Sequence, residues 1–287
     1  MKSAAIGATA LLLVSLTATS PVYSAGGEYL PDDDPVSTLD LSFRLYAGGI
    51  PFGDATMAAR IQGDQYLASS TIETSGLINR WWESKIEAAS NGSIAPSLVK
   101  PFRYDNFTTR RGRRQEYVIS FREDGPDSIY TNPQREYDEE ELPPSADEAR
   151  HSMDPLSAMV YLVNSYDANG ATPCQTVAPV YDGRRRYDVT FRFVESENIR
   201  MDNGLYEGPA MTCEIVYRQV AGELQNVVEN GGEMPKVFGW IAEVPSPDDP
   251  SRRYMIPLRL WSNTEFGVIT AVATELRIDG KSVGYGT

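Results

Sequence analysis

"VYDGRRRYDVTFRF", residues 180–193, sets Asp-Gly and three arginines ahead of a run in which Tyr187, Val189, Phe191 and Phe193 alternate with Asp188, Thr190 and Arg192. Period-two alternation is the pattern of a strand with one buried face. Asp-Gly is a hairpin signal, because a type I′ turn needs positive φ at both central residues. The stretch therefore reads as two antiparallel strands joined at Asp182-Gly183. Arg184 and Arg186 fall on one face of the outgoing strand and Arg185 on the other. Solvation and protection of a sheet edge account for most of this arginine; anion capture accounts for the rest.

Working outward, the same grammar recurs. Leu39, Leu41, Phe43 and Leu45 alternate with Asp40, Ser42 and Arg44. "GGIPFGD" turns the chain into a second strand near 54–61, and "GDQ" into a third at 65–73. Strands follow at 83–90 and 93–107, with Asn91-Gly92 as the turn between them. In "TTRRGRRQEYVISF", residues 108–121, charged residues flank Gly112 and then Tyr117, Ile119 and Phe121 alternate. An acidic, proline-rich coil of about two dozen residues comes next. Further on, Cys213, Ile215 and Tyr217 alternate, and 252–262 and 267–278 make a last hairpin. The sum is roughly ten strands, mostly antiparallel.

One segment reads as a helix, "DPLSAMVYLVNSY" at 154–166. Asp154 suits an N-cap, Pro155 the first helical position, and Gly170 lies beyond the end. Leu156, Met159, Val160, Val163 and Tyr166 form one apolar stripe, which Tyr161 and Leu162 widen. Such a helix is covered on more than one side.

The chain opens with Lys2, the short apolar core "AIGATALLLVSLTA", and small residues Val22 and Ser24 before Ala25. This reads as a signal peptide over residues 1–24, an extended lead-in over 25–37 and a single β-rich domain over 38–287. No other stretch approaches the roughly 20 apolar residues of a membrane span, so the mature chain is expected to be soluble and periplasmic. The two cysteines, Cys174 and Cys213, then make one disulfide, stabilising the fold by about 4 kcal/mol in the chain-entropy model. A thiol nucleophile or a metal pair is the alternative, against which stand the lack of a Cys-x-x-Cys and a single histidine, His151.

The net charge of −14 argues against nucleic acid or anionic lipid as a partner of the whole surface. Its acids concentrate in "PDDDP" at 31–35 and "REYDEEELPP" at 135–144, which read as solvated loops without calcium-loop spacing. No nucleophile elbow, zinc-protease, phosphate-loop or dinucleotide motif occurs. No catalytic residue, cofactor or metal site is expected. Two other features could bind. Arg110, Arg111, Arg113 and Arg114 form a second basic cluster; if it meets Arg184 and Arg186 in space, a phosphate or lipid head group could bridge the two. Trp81 and Trp82, in "TSGLINRWW", are either a ligand platform or a pair split between core and surface.

Taken together, "LYAGGIPFGDATMAARI", "GLINRWWESKIE", "DPLSAMVYL", "PVYDGRRRYDVTF", the cysteine pair, "AMTCEIVYRQVAG" and "MIPLRLWSNTEFGVITAVATEL" are similar to the exported bacterial family catalogued as domain of unknown function 3108, over about residues 38–280. The resemblance implies a β-rich protein of the Gram-negative envelope and transfers no catalytic residue. More distantly the chain resembles envelope-integrity β-spirals of alphaproteobacteria and half-open barrels that carry lipoproteins. That implies a mainly β fold: a strongly curved antiparallel sheet, open barrel or β-spiral, wrapped around one long helix. The expected function is a non-enzymatic envelope protein that binds a lipidic ligand or an envelope protein. A scaffold without a small ligand is the rival reading, and an unassigned hydrolase the third.

Overall fold

The computed structural model describes residues 36–76, 78–95, 98–134, 144–164, 174–222, 236–264 and 267–284. A first meander comprises β1 (Val36–Ala47), β2 (Ile50–Gln62), β3 (Gln65–Thr74), β4 (Ser84–Ala95), β5 (Leu98–Arg110), β6 (Arg113–Arg122) and β7 (Gly125–Asn132). Two short helices follow, α1 (Ala146–Ala149) and α2 (Pro155–Asn164). A second meander comprises β8 (Val177–Tyr181), β9 (Arg186–Arg200), β10 (Glu207–Ala221), β11 (Val237–Pro245), β12 (Arg253–Thr264) and β13 (Gly267–Ile278), with β14 (Lys281–Ser282) folded back on β13.

Every strand pair is antiparallel, and the meanders join where β1 lies against β13, from Leu39 opposite Ile278 to Ala47 opposite Ile269. Asp279 locks the end of that seam: its Oδ1 accepts from the Thr38 N–H at 2.9 Å, and its own N–H donates to the Thr38 carbonyl at 2.8 Å. The sheet nearly closes into a barrel. Its free edges, β7 and β8, are bridged by the link between the helices. The His151 N–H donates to the Asp124 carbonyl at the β6–β7 turn, and Met153 adds a short parallel bridge to Val180 of β8.

Helix α2 fills the interior, packing on β3, β4, β5, β8 and β12. Leu156 and Val160 meet Tyr66, Tyr104, Ile119, Phe121 and Tyr181, while Val163 meets Leu39, Leu41, Leu258 and Leu276. The gaps left on its two sides are small and apolar, ≈ 30 Å³ and ≈ 70 Å³, and Met159, Val163 and Pro257 line both. No helix among the described residues is long and apolar enough to cross a membrane.

Several expectations need correction. The helix is not long: α2 has ten residues, and the expected Tyr166 and Gly170 lie outside the described residues. Apolar periodicity reports which sides are covered, not where the hydrogen-bonded ladder stops. The sheet begins at Val36, inside the expected lead-in. Asn91-Gly92 is no turn; it lies inside β4 at a register shift against β5. A Cβ on Gly92 would fall 2.2 Å from the Lys100 carbonyl oxygen and 2.8 Å from the Tyr66 ring. Glycine is needed there for close approach, not for a reversal. The coil after 121 holds strand β7, most of whose side chains are exposed, so it carries no alternation to read. The acidic runs 31–35 and 135–143 and the signal segment lie outside the described residues.

Candidate functional site

Antiparallel meanders put alternate turns at the same end. The β1–β2, β3–β4, β5–β6, β8–β9 and β12–β13 connections share one end of the barrel. Both arginine-rich turns are therefore neighbours. The β5–β6 turn is the true two-residue reversal: Arg111 has φ 48° and Gly112 φ 73°, with Arg110 paired to Arg113. Its arginines stand at the rim, and the Arg114 guanidinium lies over the Phe107 ring at 4.4 Å.

The β8–β9 turn is built otherwise. Of its residues only Gly183 has positive φ, 88°, so it is not the expected type I′ turn. The Asp182 carboxylate shapes it, with Oδ1 accepting from the N–H groups of Arg184 at 2.9 Å and Arg185 at 2.7 Å. The Arg185 guanidinium closes on Asp182 Oδ2 from Nε at 3.2 Å and Nη2 at 3.1 Å.

The two turns meet. Arg110, Arg113 and Arg114 from one, and Arg184 and Arg185 from the other, line a cleft of ≈ 570 Å³. Tyr104, Tyr117 and Tyr187 contribute to its wall, and Asp182 is its one lining carboxylate among the described residues. Guanidinium groups are donors only and keep their protons at any physiological pH. What such a cleft can do is hold an anion in several bidentate contacts.

Two of the expected arginines are not in it. Arg186 is drawn aside by Asp188, 2.7 Å away, which also holds Arg218 at 2.6 Å. Burial would raise the Asp188 carboxyl, but Arg218 and Arg186 outweigh it and hold it below the usual aspartate range. Arg111 instead donates to the Trp81 carbonyl at 3.0 Å and lies 6.0 Å from the Trp82 ring centre. Arg185 was missed, because extending strand alternation into the turn assigns it to the opposite face. Trp81 and Trp82 do not line the cleft; they project from the rim beside it, 73% and 59% exposed.

Behind the cleft lies a buried polar cluster. Asp154 is wholly inaccessible. It caps α2, its Oδ1 accepting from the N–H groups of Leu156 at 2.9 Å and Ser157 at 3.0 Å. Its Oδ2 accepts from the hydroxyls of Ser157 and, at 2.8 Å, Ser90. The Tyr66 hydroxyl lies 2.5 Å from the Ser157 hydroxyl. Burial pushes the Asp154 carboxyl up, against the pull of these hydrogen bonds. The cap was legible in the sequence; the serine and tyrosine partners, 64 and 91 residues away from those they meet, were not. Cys174 and Cys213 sit at disulfide distance, Cα atoms 5.7 Å apart. His151 is exposed, at φ 59°. Among the described residues no cluster of three metal-ligating side chains occurs.

A comparison with curated proteins finds no match. Among solved structures the chain is similar to a β-barrel-like protein of domain of unknown function DUF1849 from Brucella abortus, at 10% identity and a TM-score of 0.49, covering 86% of this chain and 98% of that one. The family model described as "Protein of unknown function (DUF3108)" matches residues 42–274. By that match, which spans both arginine turns, α2 and the Phe43–Ala47 part of the β1–β13 seam, the chain belongs to the DUF3108 family.

Proposed function

We propose that this protein is a non-enzymatic, exported binding protein that captures an anionic, phosphate-bearing head group in the arginine cleft. One observation carries the reading. In a chain of net charge −14, five arginines from two distant turns converge on one ≈ 570 Å³ cleft whose lining holds a single aspartate among the described residues. Concentrating cations against the overall charge creates a local field that an anion finds attractive. The volume suits a head group or small anion. Pairing of the cysteines suits an oxidising compartment such as the periplasm.

The test is calorimetric titration with glycerol phosphate at low and high salt. Saturable, salt-weakened binding that Arg113→Ser combined with Arg184→Ser abolishes is the expected result. No binding at low salt, or binding the double variant retains, defeats the proposal.

A further inference from the structure

Resting on that reading, we infer that the turn end of the barrel docks on an anionic bilayer, with Trp81, Trp82 and Ile50 seated among the lipid head groups. The head group is then read at the membrane surface, with its chains left in the bilayer.

The argument begins with exposure. Ile50 is 63% exposed, and with Trp81 and Trp82 it is among the most exposed large apolar residues of the described chain. All three belong to turns at the cleft's end. Adjacent turns are tied by contacts: Gly48 donates to the Val268 carbonyl at 2.9 Å, Ser75 to that of Phe52 at 2.8 Å, and Arg111 to that of Glu83 at 3.3 Å. The tryptophan turn is held from below. The Thr74 hydroxyl lies 2.8 Å from Asn79 Oδ1 and 2.9 Å from the Trp82 carbonyl, and it accepts from the Ser84 N–H at 2.9 Å. Two large indoles held out into water on a braced turn are a costly arrangement, and membrane interfaces are where tryptophan is enriched.

Charge points to the same occupant. Among the described residues the neighbouring β3–β4 and β5–β6 turns, 75–83 and 110–113, carry four arginines, Arg80, Arg110, Arg111 and Arg113, against one glutamate, Glu83, in a chain of net charge −14. The tryptophan sector of the rim is thus locally cationic on an acidic molecule, which orients it toward a negative surface. Rim and cleft are continuous: Ser84, at the foot of the tryptophan turn, pairs with Arg110, and Arg110 pairs with Arg113 across the reversal. Finally, the interior does not offer room for acyl chains. The gaps beside α2, ≈ 30 Å³ and ≈ 70 Å³, hold water-sized guests. A lipid bound by its head group leaves its chains outside, where the indoles point.

The experiment is sedimentation with vesicles of phosphatidylcholine alone and of equimolar phosphatidylcholine and phosphatidylglycerol, with tryptophan quenching by brominated lipid. The full chain should bind only the anionic vesicles, weakening with salt, and its fluorescence should be quenched. Trp81→Ala with Trp82→Ala should lower vesicle affinity about tenfold or more and remove the quenching, while glycerol phosphate titration is unchanged. Ile50→Ser, in a turn that needs neither indole, gives an independent loss of affinity. Wild-type protein that ignores anionic vesicles, or a tryptophan variant that binds and is quenched like wild type, overturns the docking whatever glycerol phosphate does. So does a dimer that the tryptophan variant dissolves without any vesicle binding, since the rim is then a self-interface. Tryptophan-dependent vesicle binding without glycerol phosphate binding keeps the docking and removes the head-group proposal.

Discussion

The inside and the rim of the barrel handle charge in opposite ways. Inside, the Asp154 carboxylate is surrounded by donors, two N–H groups and two serine hydroxyls, and faces no solvent. At the rim, five guanidinium groups are gathered around a cleft with one lining carboxylate among the described residues. The interior cluster resolves its charge locally and so specifies how the helix is seated; a satisfied network of this kind reads as structure. The rim gathers cationic side chains from two turns around one cleft and so reads as a place for an anion. The difference between the two predicts which substitutions harm folding and which harm binding.

The largest effect belongs to the interior. Val160→Asp sets an unpaired carboxylate among Tyr66, Tyr104 and Ile119 and should cost more than about 4 kcal/mol. Soluble yield and a melting curve check it; a cooperative transition near that of wild type would mean that α2 does not occupy the interior.

Asp154→Ala comes next, at about 2–4 kcal/mol, combining a lost cap with donors left buried and unsatisfied. Asp154→Asn keeps one acceptor and removes the charge. Because the folded carboxyl lies above its ordinary 3.8, the folded state holds a proton the unfolded chain has lost. Wild-type stability therefore falls as pH rises from that value through the raised one. Asp188 acts in the opposite sense, its stabilisation disappearing as pH falls through its lowered value. Denaturant midpoints across pH should show the first slope in wild type and not in Asp154→Asn; equal slopes would break the contrast between inside and rim.

Gly183→Val forces a β-branched residue to φ 88° and brings its Cβ to 3.3 Å from Ile119. About 1–3 kcal/mol is expected, read as a lowered melting temperature. The smallest effect on folding is that of Arg113→Ser with Arg184→Ser, under about 1 kcal/mol for each, alongside loss of glycerol phosphate binding. Thiol titration of the denatured, unreduced protein should find no free sulfhydryl.

Strand alternation was legible where one face is buried, as at Leu39 to Phe43, because period two and burial are local properties; at Tyr187 to Phe193 it gave the strand but not its faces, since Asp188 is buried and Phe193 exposed. β7 was not, since exposed side chains leave no alternation. Gly92 misled because the Asn-Gly pair signals a reversal only when no neighbour demands a missing Cβ. The cleft lay one step further out of reach. Each arginine cluster was visible, but their meeting depends on a sheet nearly closing between strands far apart in the chain. Nor does sequence say that Arg186 would be taken by Asp188 and Arg218, a choice made across two strands.

The seam between β1 and β13 has a consequence for how the molecule comes into being. Each meander is made of hairpins whose partners are close in sequence, contacts that form early and at little entropic cost. The pairing of Leu39 with Ile278 is the opposite kind, joining the beginning of the described chain to its end. β1 is the first of the described strands and its second neighbour is among the last. Until Ile278 is in place, the first meander carries a strand with one edge of unmet N–H and carbonyl groups. Completion of the fold thus waits on the far end of the described chain, and the Asp279–Thr38 clasp secures it.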